Sequence, residues 1–318
     1  MSRYSGPIVD AHQHFWRPSN GRIPWLQPQA NIPFRYGDYS ALKQDYLPPD
    51  LLADAEGLPI VGTVWMETEW DRDDPVGEIA DLARTREQYG LPDAAVAHAI
   101  LADPDVDRTL AALVAESDLV RAVRNKPGQA PTPKLARSQP TLMSSPDWRR
   151  GYSRLRQHGL DFELQTAWWH LDEALGLVRA FPDTAIMINH AALPADRSAD
   201  GIAGWTAALR RIAAAEQVSI KVSGIGRPGL PWTAEGNRII VDTIADIFGP
   251  DRMLFASNFP VDSLTGSYRD IYDGFLTLTE SWSPSEQQAA FIGNAIRAYR
   301  LDPDLVTRSG PDPRARRR

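Results

Sequence analysis

Ile8-Val9-Asp10-Ala11-His12-Gln13-His14-Phe15-Trp16 decides how the rest of this chain is read. Two apolar residues lead into a His-x-His pair, and on an extended strand residues i and i+2 project to the same side. His12 and His14 therefore point together. Alone, such a pair is more often a surface or core feature than a site. At the mouth of a parallel barrel it becomes half of a metal site or an acid/base pair.

Working outward, seven further apolar segments match the strand pattern: 60–67, 94–101, 119–125, 161–166, 184–190, 218–223 and 252–258. Helical signals separate them. Asp74-Pro75 and Ser145-Pro146 place an N-cap residue before a first-turn proline, and Asp103-Pro104 opens another helix. Ile202, Trp205, Leu209 and Ile212 form one stripe, and Ser283-Pro284-Ser285-Glu286 is a capping box opening a terminal helix. Eight short strands alternating with amphipathic helices predict an α/β fold, a (β/α)8 TIM barrel in one domain with long βα loops. The barrel is expected over residues 1–304, with 305–318 as a flexible tail. A doubly wound nucleotide-binding sheet is disfavoured because no Gly-x-Gly-x-x-Gly follows the first strand.

The 318-residue length suits such a barrel. A net charge of -7 and a pI near 5.4 argue against nucleic-acid binding, and the basic run 314–318 is expected to be a frayed end. The absence of cysteine excludes disulfides, thiolate metal sites and a cysteine nucleophile. No segment approaches the roughly 20 apolar residues of a membrane span. A cytoplasmic protein acting on a small molecule is expected, and a homo-oligomer is compatible with the sequence. The Pro- and aromatic-rich stretch 17–48 is expected to be a lid, and 126–145 a second mobile loop at the same end.

Active sites in this fold gather at the C-terminal ends of the strands. Those ends carry His12, His14, Glu67, Arg124, Asn125, His190 and Asn258, with His98 inside the third strand. Arg124 suits a substrate carboxylate or oxyanion, or equally a salt bridge to Asp or Glu. Glu67 is a base or ligand, or a carboxylate paired with arginine. Trp168, Trp169 and His170 follow strand five, where Trp169 and His170 wall a substrate or simply pack. Asp10 is expected to brace the first strand, His98 to be a hydrogen-bonded core histidine, and Lys221 is assigned no role.

Four stretches, VDAHQHFW, NHAALP, KVSG and FGPDRMLFASNFPVDSL, together resemble the amidohydrolase superfamily. They are most similar to its amidohydrolase-2 branch, related to fuconolactone, rhamnonolactone and pyrone-dicarboxylate lactonases, and the likeness runs from about Ile8 to Arg300. The resemblance implies hydrolysis of a lactone or related cyclic ester or amide by water at a His-rich site. It implies His12, His14 and His190 as the site histidines, and as metal ligands where a metal is bound. It also places an acidic residue at strand eight, where this chain has Ser257-Asn258-Phe259-Pro260. An amide is neither a base near neutral pH nor an anionic ligand. The catalytic set expected is therefore His12, His14, His190 and Asn258, with no cofactor required and one divalent zinc ion as the alternative. The competing readings are a metal-dependent decarboxylase or hydratase of the same superfamily and a catalytically silent small-molecule-binding barrel.

Overall fold

In the computed structural model, which describes residues 3–308, eight parallel strands lie in the order β1 to β8. They are β1 (Ile8–Gln13), β2 (Ile60–Met66), β3 (Ala94–His98), β4 (Val120–Arg124), β5 (Asp161–Leu164), β6 (Ile186–Ile188), β7 (Val218–Val222) and β8 (Met253–Phe255). The helices are α1 (Pro48–Asp54), α2 (Pro75–Tyr89), α3 (Val106–Glu116), α4 (Pro146–Tyr152), α5 (Leu171–Ala180), α6 (Ala199–Ile212), α7 (Ala234–Phe248), α8 (Tyr268–Leu278), α9 (Pro284–Gln288) and α10 (Asn294–Tyr299). This is the expected (β/α)8 barrel. The strands are shorter than the sequence suggests, because the apolar runs continue past the last ladder pair into the loops that carry the site.

The seam between β1 and β8 is closed differently from the other junctions. The backbone N–H of Asn258 donates to His12 O at 2.8 Å, and that of His14 donates to Phe259 O at 2.8 Å. Below them Asp10, fully buried, accepts from Ser257 N (3.0 Å), Ser257 Oγ (2.5 Å), Tyr268 Oη (2.9 Å) and His12 N (3.2 Å). Burial raises its pKa against the pull of those donors. Asp10 thus braces the first strand, as expected, and locks the Ser-Asn-Phe segment beside the His-x-His pair.

Local signals place the helices. Asp74 caps α2 through Gly77 N (3.0 Å), and Ser283 and Glu286 form the capping box of α9. The third helix starts at Val106 after N-cap Asp105, two residues beyond the Asp103-Pro104 signal. One apolar cluster packs the helices on the strands, with Trp148, Trp205 and Ile240 buried. A second joins Val9, Val61, Val96 and Leu254 to Ile292, Ala295 and Tyr299 of the C-terminal segment. Leu305, expected in a flexible tail, is buried in a 3-10 turn, Pro303–Thr307. The rest of that expected tail beyond Arg308, including the basic run, lies outside the described residues.

Candidate active site

His12 and His14 leave the end of β1 side by side, their ring centroids 5.3 Å apart, and His190 approaches His12 to 4.6 Å. The structure thus brings together three histidines from distant parts of the sequence. His14 Nδ1 lies 3.0 Å from Met66 O, and since a carbonyl only accepts, that nitrogen carries the proton. His14 Nε2 is left with the lone pair. Both ring nitrogens of His12 are buried without a hydrogen-bond partner.

His190 is held by an unusual backbone. Residues His190, Ala191, Ala192 and Leu193 all have positive φ, between 51° and 58°. A left-handed turn of non-glycine residues costs about 1–2 kcal/mol per residue. Trp205 on α6 donates from Nε1 to Ala191 O at 2.7 Å, and Leu193 N donates to His190 O at 2.8 Å, which offsets part of that cost. The ring is fixed by Ser223 Oγ, 3.0 Å from His190 Nδ1. Gly224 follows with φ +56, and a Cβ there would lie 2.6 Å from His190 Nδ1. The Ser-Gly of KVSG therefore both holds the imidazole and makes room for it.

All three rings stay neutral near pH 7. Burial is the largest cause in each case. It is reinforced for His12 by His190 and Lys221, and for His190 by Arg35 and Arg124, so that both pKa values fall well below the usual histidine range. His14 is pushed down to about 3 by burial and Arg124, with Glu67 opposing.

The cavity above them, of about 130 Å³, is lined by His14, His190 and Asn258, by Glu67, Arg124, Glu69 and Lys126, by Trp16 after β1, and by Trp25, Phe34 and Arg35 from the 17–48 stretch. That stretch lies over the barrel as expected of a lid. It is pinned by Trp25 Nε1 to Thr68 O (2.8 Å), Arg35 to Gly224 O (2.8 Å) and Tyr36 Oη to Asp262 Oδ1 (3.1 Å).

Arg124 and Glu67 both line the cavity, and they are bonded to each other. Arg124 Nε meets Glu67 Oε1 at 2.6 Å with both side chains almost fully buried, and the guanidinium also reaches Glu67 O (2.8 Å) and Gln165 Oε1 (3.0 Å). The pair is an ion pair that still lines the cavity. Burial alone would raise the Glu67 pKa; Arg124 and Lys126 outweigh it and hold the carboxyl below the usual range.

Trp169 and His170 are placed elsewhere, outside the cavity lining. Trp169 Nε1 donates to Ala130 O at 3.0 Å, while His170 accepts from Ala130 N at 2.8 Å and pairs through Nδ1 with Glu173 at 2.6 Å. Both anchor the 126–145 loop, because the His170–Glu173 pair at the start of α5 fixes the imidazole as an acceptor for that loop's backbone. The loop expected to be mobile is tied down by these bonds and by Thr141 on Glu173. Lys221 is fully buried, 3.0 Å from Glu163, and burial lowers its pKa to about 8 against the pull of Glu163. Asn189 and Tyr299 also donate to Glu163.

Asp262 was not singled out from the sequence. It is 1% exposed, four residues after Asn258, and accepts Asn258 Nδ2 at 2.6 Å. Burial raises its pKa to about 6, with Arg35 and the Asn258 and Tyr36 hydrogen bonds opposing. The signal available was the SNFPVD stretch itself, an acidic residue one turn beyond the amide.

A family model described as Amidohydrolase matches residues 9–301. The chain belongs to the amidohydrolase family. As a member of this family it is a hydrolase. An uncharacterised protein of Sinorhizobium fredii, y4mH, is 35% identical over 92% of this chain and 98% of its own length. An L-fucono-1,5-lactonase of Burkholderia multivorans is 27% identical over 92% of this chain and 96% of its own. A crystal structure of an amidohydrolase from Burkholderia multivorans with bound zinc superposes with a TM-score of 0.77 at 25% identity, covering 93% of this chain and 100% of that one.

The zinc in that relative raises the question whether these residues suit a metal, and the donor set does not. Among the described residues, no group of three or more His, Cys, Asp or Glu side chains is arranged to hold an ion. Both cavity carboxylates are ion-paired, Glu67 with Arg124 and Glu69 with Lys126. At strand eight a neutral amide stands where an anionic ligand would balance the charge of a divalent ion.

Proposed function

We propose that this protein hydrolyses a lactone or a related cyclic ester or amide, using water as the nucleophile, a cluster of neutral imidazoles for proton transfer and no required metal ion. Membership of the amidohydrolase family and the likeness to a protein named L-fucono-1,5-lactonase support the substrate class. One observation carries the mechanism: His14, its Nδ1 proton committed to Met66 O, faces the cavity with an unprotonated Nε2 whose lone pair is free to take a proton.

In this reading the lactone enters between the aromatic lid residues and the imidazoles. His14 Nε2 takes a proton from water as the water oxygen bonds to the carbonyl carbon, whose π electrons move onto oxygen. Arg124 and His190 face that oxyanion and stabilise it. When the tetrahedral species collapses, the ring C–O bond breaks and the departing oxygen receives the proton from the His14 imidazolium. A low histidine pKa serves this second step, because the resulting imidazolium is a strong acid toward an alkoxide. Arg35 and Lys126 at the same cavity suit the carboxylate product.

The test is hydrolysis of a panel of sugar-derived and aromatic lactones, comparing the unmodified protein with the His14→Ala and His190→Ala variants. Turnover that disappears in both folded variants supports the reading. No turnover on any lactone, or full turnover in both variants, would overturn it.

A further inference from the structure

The cavity presents Asn258 in a conformation that an isolated asparagine would seldom hold. Its φ is +56, in the left-handed region that only asparagine, aspartate and glycine visit at modest cost. Its backbone N–H is committed to His12 O, and its side-chain nitrogen to Asp262 Oδ1 at 2.6 Å. The same Oδ1 accepts the Tyr36 hydroxyl at 3.1 Å, and Asp262 N donates to Asn258 O at 3.1 Å.

A carboxylate only accepts hydrogen bonds, so the end of the Asn258 amide that faces Asp262 has to be the NH2 group. The amide oxygen is then the group offered to the cavity. A neutral partner, such as the amide of an asparagine, would permit either orientation. The buried negative charge selects one, and the hydroxyl that shares its Oδ1 comes from the lid.

We infer that Asp262 is a positioning residue: together with Tyr36 of the lid it fixes Asn258 so that the amide oxygen accepts a hydrogen bond from the attacking water, leaving the second water proton directed at the imidazoles. The carboxylate missing from strand eight is thereby present one turn later, acting through the amide. This rests on the hydrolytic reading of the site and adds a division of labour to it. Asn258 orients the nucleophile, a histidine takes its proton, and seating of the lid completes the arrangement. Asp262 itself touches neither water nor substrate.

The experiment has two arms, so that failure of this inference and failure of the hydrolytic reading give different results. The first needs no substrate. In 15N-labelled protein, the Asn258 side-chain NH2 signals, assigned by their loss in Asn258→Asp, should include one strongly downfield proton bonded to a carboxylate. That proton should return to the ordinary amide range in Asp262→Asn and stay downfield in Tyr36→Phe. The second arm is kinetic. Asp262→Asn should lower kcat by roughly ten- to a hundredfold with KM changed less than about twofold, and Tyr36→Phe should lower kcat a few-fold in the same way. If Asp262→Asn does not fold, Tyr36→Phe, which deletes only a hydroxyl, carries the kinetic arm. An unshifted Asn258 signal in the unmodified protein, unchanged kcat in the variants, or an effect on KM alone would overturn the inference. A lactone panel that is not hydrolysed at all would overturn the hydrolytic reading and leave the first arm to decide the orientation of Asn258.

Discussion

Replacing Glu67 with alanine isolates the charge pair on which the cavity wall is built. Arg124 would keep a nearly fully buried guanidinium and lose its carboxylate partner at 2.6 Å, while Glu69 N would lose its 2.8 Å bond to Glu67 Oε2. Breaking one side of a buried pair costs about 3–5 kcal/mol, because the remaining charge is desolvated without compensation. For a chain of this size that is a fall in Tm of roughly 4–8 °C. Replacing both partners by apolar residues of similar volume, Glu67→Leu with Arg124→Met, should cost much less than the sum of the single losses, since no charge is left stranded. Urea or thermal denaturation of the single and double variants reads this directly. A Glu67→Ala variant within about 1 kcal/mol of the unmodified protein, or additive effects in the double variant, would refute the argument that the wall is a tightly coupled ion pair.

Three other outcomes follow from the same geometry. The His14→Ala and His190→Ala variants should fold and lose lactone hydrolysis by about a hundredfold or more, the scale of a lost acid/base group, and circular dichroism with initial rates checks both. Stability should fall on acidification below about pH 6.5, because the unfolded chain takes up protons that the three buried imidazoles refuse, His14 down to about 3. The three imidazoles contribute a limiting slope of about 4 kcal/mol per pH unit, which the buried carboxyls of Glu78, raised to about 8, and Asp262, raised to about 6, partly offset; a flat urea midpoint between pH 6.5 and 5 would contradict the expected net fall. Asn258→Asp should raise zinc affinity by restoring an anionic donor beside the histidines, measured by calorimetric titration; equal affinity in both proteins would show that the amide is no handicap.

The barrel was legible because short apolar runs and proline-led caps recur along the chain, and the histidines mark the strand ends by breaking an apolar pattern. Side-chain partnership was less legible. Arg124 was equally suited to a substrate or to a carboxylate, and its pairing with Glu67 across the β2–β4 mouth, at the cavity wall, arises only from tertiary folding. His170 looked like a site residue from its place after strand five. Its role follows from Glu173 and from the backbone of Ala130, and nothing in a Trp-Trp-His triplet announces either. The lid residues Arg35 and Tyr36 sit in a stretch without periodicity, so their contacts with Gly224 and Asp262 arise only from tertiary folding. The left-handed turn at His190 is carried by alanines, which by themselves give no hint of positive φ.

Hydrolysis without a metal is the central claim, and the most direct measurement combines elemental analysis with lactone turnover on protein purified without added zinc and assayed in excess chelator. The donor set predicts well under one equivalent of zinc and a rate unchanged by the chelator. Tightly held stoichiometric zinc, with activity lost on its removal and regained on its return, would contradict the account.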